Sequence, residues 1–194
     1  MARFLLVLLA TSFILSISST LCAATDSPAT SFIRKTCNET TYTTRCLNTL
    51  LPNTDRFNGN TKKATRLAIM ATVTEVQSAS NNIQHYADLL PRRWTHEVES
   101  LENCHTDIAD SVIGLYSALE ETNHLGGGSK DVKESKRLNM ETNVKSVLNA
   151  IHDCANHLQK SKGGMVVVKR VEEILQPLNE LATNAVSLVH HMEF

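Results

Sequence analysis

Two groupings of histidine and cysteine are where this chain could do chemistry. His152-Asp153-Cys154 is followed by His157, and Cys104 is followed by His105. The first offers donor types that zinc accepts, but a structural zinc site draws on a second close pair of ligands, and none stands nearby. The second could set a thiolate beside a base. A cysteine oxidised to a disulfide is no nucleophile, however, and His105 falls on an apolar helical stripe, where a packed or hydrogen-bonded imidazole is expected. Glu97, Glu99, Glu102, Asp107 and Asp110 recur at helix-surface spacing, which predicts a solvated face rather than an acid/base pair. Gly126-Gly127-Gly128 lacks the Lys-Ser/Thr that completes a phosphate-cradling loop. There is no nucleophile elbow or zincin helix. These residues therefore indicate neither catalysis nor a metal or cofactor, and they favour a protein that works by binding.

The fate of the cysteines depends on the compartment. Arg3 precedes an apolar run from Phe4 to Ile17, and small residues Ala23 and Ala24 then precede polar Thr25. This is the pattern of a secretory leader over residues 1–24, and the run is too short for the ~20 residues of a membrane span. Its removal takes away Arg3 and Cys22 and leaves residues 25–194, a chain of 170 residues whose formal charge is −2 where the full chain has −1. A near-neutral chain offers no basic stripe for nucleic acid, and neither a cationic amphipathic helix nor a second apolar run points to a membrane. Four cysteines remain, Cys37, Cys46, Cys104 and Cys154. In an exported chain they predict two disulfides with three possible connectivities. Asn38-Glu39-Thr40 is a candidate N-glycosylation site at Asn38. The eight histidines would gain charge in an acidic compartment and could tune binding with pH.

The elements that must position these groups are helices. Apolar residues recur in threes and fours at Ile69, Val73, Val76, Ser80, Ile83, Ala87 and Leu90; at Val98, Leu101, His105, Ile108, Val112, Leu115 and Leu119; at Val144, Val147, Ile151, Cys154 and Leu158; and at Val171, Ile174, Leu178, Leu181, Ala185, Leu188 and Met192. Each set lies on one helical face. Polar Asn53 to Asn60, Leu90-Pro91, the glycine run and Lys162-Gly163-Gly164 separate the sets, and Pro177 predicts a kink or short break in the last. Four amphipathic helices with short connections predict an all-α, up-down-up-down four-helix bundle over residues 61–194. Residues 25–52 are too short to extend the bundle. Ser27-Pro28 has the composition of a helix start, and a Cys37–Cys46 bridge would close a small helical hairpin lying across the bundle or projecting from it. Cys104 and Cys154 sit on successive, antiparallel helices, so local pairing is the natural connectivity.

Four blocks together resemble the plant invertase inhibitor and pectin methylesterase inhibitor family over essentially the whole exported chain. They are Phe32-Ile33-Arg34-Lys35-Thr36-Cys37 with Thr41-Tyr42, Cys46-Leu47 and Leu50-Leu51; Leu101-Glu102-Asn103-Cys104 with Asp110-Ser111-Val112; Val147 through Cys154; and Leu178 through Leu188. The resemblance implies a four-helix bundle with an N-terminal hairpin and the same disulfide pairing. It also implies a secreted, cofactor-free inhibitor in the apoplast that forms a one-to-one complex with pectin methylesterase or with acid invertase. Thr43 follows Tyr42 where the family has proline. Asn149-Ala150-Ile151-His152 and Asp153-Cys154-Ala155-Asn156 stand where the family has Ala-Ala-Leu-Thr and Thr-Cys-x-Asp. The residues flanking that cysteine lie near the partner in pectin methylesterase inhibitors, which assigns Asp153 and Asn156 to the contact. Asp110 matches an acidic interface position. The Pro-Lys-Phe motif linked to invertase inhibition is absent, which favours pectin methylesterase, with occlusion of its substrate cleft as the expected mechanism. Acid invertase, or a divergent role as a non-inhibitory interaction or structural protein of the same fold, are the other readings.

Overall fold

The computed structural model describes residues 27–57, 59–160 and 165–192; the expected leader and Cys22 lie outside the described residues. Helix α1 (Pro28–Asn38) starts as its sequence suggests, with the Ser27 hydroxyl accepting from the Thr30 amide at 3.1 Å and Pro28 in the first turn. A tight turn leads into α2 (Thr43–Leu50), which runs on into a 3₁₀ turn (Leu51–Arg56). The polar stretch expected to be a loop is thus partly helical, and Phe57 within it is 2% exposed, pinning it to the core. Asn60 caps α3 (Thr61–Leu89), its side-chain oxygen accepting from the Lys63 amide at 3.0 Å. That helix stops at Leu90, whose extended backbone is what a following proline requires.

The second apolar stripe forms two helices rather than one, α4 (Thr95–Asp110) and α5 (Val112–Asn123). The break falls at Ser111, whose buried hydroxyl donates to the Ile108 carbonyl at 2.7 Å and competes with the regular backbone bond. Helix α6 (Lys130–Lys160) begins well before its apolar stripe. Its first half is rich in charge and holds together through neighbouring side chains. Arg137 pairs with Glu134 and Glu141, and Lys145 with Glu141 at 2.6 Å. Helix α7 (Met165–His190) runs through Pro177 without ending, so the proline removes one backbone donor and leaves the helix intact.

Helix α3 packs on α7 and on α4/α5, and α6 packs on the same two partners from the opposite corner. Cross-helix contacts make neighbours antiparallel. Thr65 at the start of α3 donates to the Leu188 carbonyl at the end of α7 (3.3 Å), and Arg66 donates to the Leu119 carbonyl (3.0 Å) near the end of α5. Arg137 at the start of α6 donates to the His190 carbonyl (3.2 Å) at the end of α7. The architecture is an all-α four-helix bundle. One core runs through it and into the hairpin: Ile33 and Leu50 are as fully enclosed as Ile69, Leu101, Met140 and Leu178. Each such side chain contributes about 1.5–3 kcal/mol by leaving water. The hairpin therefore packs on the bundle rather than projecting from it.

Candidate functional site

Two constraints fix how α4/α5 and α6 lie against each other. Cys104 bonds Cys154, as Cys37 bonds Cys46 in the hairpin. One end of the seam is held at Gly114, where an added methyl would sit 2.6 Å from the Asn143 carbonyl oxygen and 2.6 Å from the Ser146 hydroxyl. Only glycine permits that approach. With residue 104 opposite 154 and residue 114 opposite 143, Asp110 faces the level of Val147 and Leu148. Asp153 lies about one and a half turns further along α6 at 3.6 residues per turn.

Helical phase then places the expected contact residues. Asp110, Ile113 and Ser117 form one outward stripe on α4/α5, while Asn149, Asp153 and Asn156 form another on α6. Asp110 and Asp153 are exposed and flank the same seam; Asn156, half-buried, stands a turn away on the outer side of α6. Ile113, next to Asp110 on the helix surface, is 66% exposed, and Tyr116, further round the helix, is 54% exposed; both are large groups among polar neighbours. From Thr95 to Asn123 there is no lysine or arginine, so this flank carries carboxylates alone. An acidic flank with exposed apolar side chains beside it suits docking against another protein.

The other groups that invited chemistry are accounted for by structure. The Nδ1 of His105 lies 2.9 Å from the Ser80 hydroxyl and 3.0 Å from the Ser80 carbonyl, so it is a hydrogen-bonded histidine in the α3–α4 seam. His157 Nε2 lies 3.1 Å from Asp107 Oδ2, yet without the alignment of a hydrogen bond, so the two attract only when the imidazole is protonated. Among the described residues no three His, Cys, Asp or Glu side chains gather as a metal site would require. None of the helices among those residues is long and apolar enough to cross a membrane.

The reading from sequence passed over Asn184. It is 3% exposed, and its carboxamide makes a two-point clamp: Oδ1 accepts from the Tyr42 amide at 2.9 Å and Nδ2 donates to the Tyr42 carbonyl at 2.8 Å. The Asn179 amide reaches the Tyr42 hydroxyl at 3.4 Å, and Arg45 pairs with Glu180 at 2.8 Å. These contacts hold the hairpin turn on α7. A polar residue within an apolar helical stripe was the available signal.

A family model described as plant invertase/pectin methylesterase inhibitor matches residues 31–188. Among curated proteins, the chain is 23% identical to pectinesterase inhibitor 4 of Arabidopsis thaliana over 84% of its length and 81% of that protein's. It is 27% identical to pectinesterase inhibitor 10 of the same plant over 82% of its length but only 50% of that protein's. Among solved structures, it resembles a pectin methylesterase inhibitor from Arabidopsis thaliana with a TM-score of 0.54 at 14% identity, covering 84% of this chain and 97% of that one. A mutant form of a pectin methylesterase inhibitor from Arabidopsis gives a TM-score of 0.58 at 13% identity over 81% and 94%.

Proposed function

The chain belongs to the plant invertase/pectin methylesterase inhibitor family, a family of inhibitors rather than enzymes, and on that premise we propose that it inhibits a pectin methylesterase by docking the α4/α5–α6 face over the substrate cleft. What supports this reading is that Asp110 and Asp153 are both exposed on helices tied by the Cys104–Cys154 bond, with Ile113 exposed alongside. The complex is one-to-one, with Asp110, Asp153 and Asn156 at the contact. Desolvation of the exposed apolar group beside them supplies binding energy, while the carboxylates select a partner whose cleft rim is basic and speed its approach. The names of the curated relatives favour pectin methylesterase over acid invertase.

The same reading makes residues 1–24 a leader and the product an apoplastic protein. It also makes Asn38 a glycan site that must be modified early. Asn38 is exposed, but the Thr40 hydroxyl of its sequon is buried and donates to the Cys37 carbonyl at 2.7 Å, out of reach once the hairpin closes.

The test is a parallel titration of the oxidised protein against plant pectin methylesterase and against cell-wall and vacuolar invertases at mildly acidic pH. Loss of methylesterase activity alone is the expected result. Asp110→Lys should weaken inhibition by about tenfold or more, the size of a ~1.4 kcal/mol change. Inhibition of invertase alone would overturn the target, and an unchanged inhibition constant for Asp110→Lys would overturn the face.

A further inference from the structure

At the end of the bundle away from the Cys104–Cys154 disulfide, α1, the start of α3, the start of α6 and the end of α7 line an open cavity of ≈ 650 Å³. Among the described residues its lining includes three lysines, Lys35 from α1, Lys62 from α3 and Lys133 from α6, and one carboxylate residue, Glu39. Lys62 and Lys133 are half-buried and Lys35 is exposed, and none of the three ammonium groups makes a hydrogen bond or ion pair to a described residue. Arg45, Arg66, Lys136, Arg137, Lys145 and Arg170 all have such partners. Three like charges held around one cavity repel each other, and a bound anion relieves that repulsion. The first turn of α3, whose leading amides carry the positive end of the helix dipole, opens on the same space. Phe32 and Met192 supply apolar wall between the cations.

From this combination we infer that the cavity is a binding site for a carboxylated sugar chain, namely the de-esterified galacturonate polymer that a pectin methylesterase produces. Cations from three separate elements fit charges repeated along a chain better than one compact ion. The apolar walls fit the C–H faces of pyranose rings, which phosphate or sulfate would leave unused. The inference rests on the methylesterase reading for the identity of the polymer, but the site is remote from the α4/α5–α6 face. An inhibitor with both would be retained where its target has already worked, bound to product at one end and to enzyme at its flank.

The test is calorimetric titration of the oxidised protein with a galacturonate oligomer about ten residues long, with its fully methyl-esterified counterpart, and with sodium sulfate. Expected are binding of the acidic oligomer that weakens as salt rises, little heat with the ester, and sulfate competing only weakly. The variant K35Q/K62Q/K133Q, checked for native circular dichroism and melting, should lose at least tenfold in affinity. E39Q, which removes the opposing charge among the described lining residues, should bind more tightly. Both variants should inhibit the target enzyme unchanged when a soluble ester is the substrate. Equal affinity of the triple variant and the parent, or equal binding of the ester, would overturn the site. Sulfate binding as tightly as the oligomer would overturn the sugar assignment. Failure of Asp110→Lys to alter inhibition would overturn the docking face and leave this result standing.

Discussion

Replacing Asn184 by leucine keeps the side-chain volume and removes the two-point clamp on Tyr42. The parent contacts are 2.9 Å from the Tyr42 amide and 2.8 Å to its carbonyl, with Asn184 itself 3% exposed. Leucine leaves the Tyr42 amide without a protein partner, while the Tyr42 carbonyl keeps the bond it accepts from the Cys46 amide at 3.0 Å; an orphaned buried group costs about 1–3 kcal/mol. Tyr42 is half-buried, so water reaches part of that turn, and the lower half of the range applies. The expected loss is about 1–2 kcal/mol, which at ~2–4 °C per kcal/mol for a domain of this size lowers the melting temperature by ~2–8 °C. The loss should be local in origin. Amide exchange should speed up first in Cys46 to Leu50 of α2, while α3 and α7 stay protected until global unfolding. Urea unfolding with exchange measured by mass spectrometry reads both quantities. A change below ~0.5 kcal/mol, the size of an ordinary surface substitution, with α2 amides as protected as in the parent, would refute the claim that Asn184 holds the hairpin down.

Gly114→Ala places a methyl 2.6 Å from the Asn143 carbonyl oxygen, so α5 and α6 must part; a loss of about 1–3 kcal/mol is expected, together with weaker inhibition, and a melting curve beside an inhibition curve checks it. In Glu141 the hydrogen bond from Lys145 and the nearby His190 hold the carboxyl below the ordinary glutamate range against the opposing effect of burial. A lowered native pKa means stability that is fully present above the unfolded value of ~4.3 and lost as the pH falls through the native one. Glu141→Gln should therefore cost about 1 kcal/mol near pH 6, and denaturant midpoints of parent and variant should converge below pH 4. Removing the Cys104–Cys154 bridge, of separation 50, should cost more than removing Cys37–Cys46, of separation 9. Loop entropy puts the losses at about 4 and 3 kcal/mol, measurable as thermal shifts of the double-serine variants.

The bundle was legible because its four apolar stripes obey helical period. Ile69 through Ala87 are buried at every expected position, and the later stripes depart from this only at half-buried sites such as Val98, Ile151 and Ile174. What periodicity could not show depends on single polar atoms or on missing ones. The Ser111 break turns on one hydroxyl choosing the Ile108 carbonyl, and hydropathy is blind to it. The first half of α6 has charge pairs where a stripe would be, so the helix starts before its apolar signal. Phe57 lies within a polar stretch whose burial only the folded chain reveals. At the candidate face, the residue types were visible, but the relation between Asp110 and Asp153 follows from the register set by Cys104–Cys154 and Gly114. That register is a tertiary fact. Asn184 was present in the closing block as a letter; its role needed Tyr42, 142 residues away, to be in place.

The bond between Cys104 and Cys154 joins the two helices that present the acidic face, and it does so from inside, where both sulfurs are buried. The geometry of that face is therefore held by atoms that no partner touches. Asp110, Ile113, Ser117, Asn149 and Asp153 point outward and bear no part of the packing, so they are free to be exchanged for other side chains while the frame keeps its shape. Folding and recognition are assigned to separate residues of the same helices. This makes the bundle a chassis for retargeting: a library confined to those outward positions would explore new enzyme partners without revisiting the core.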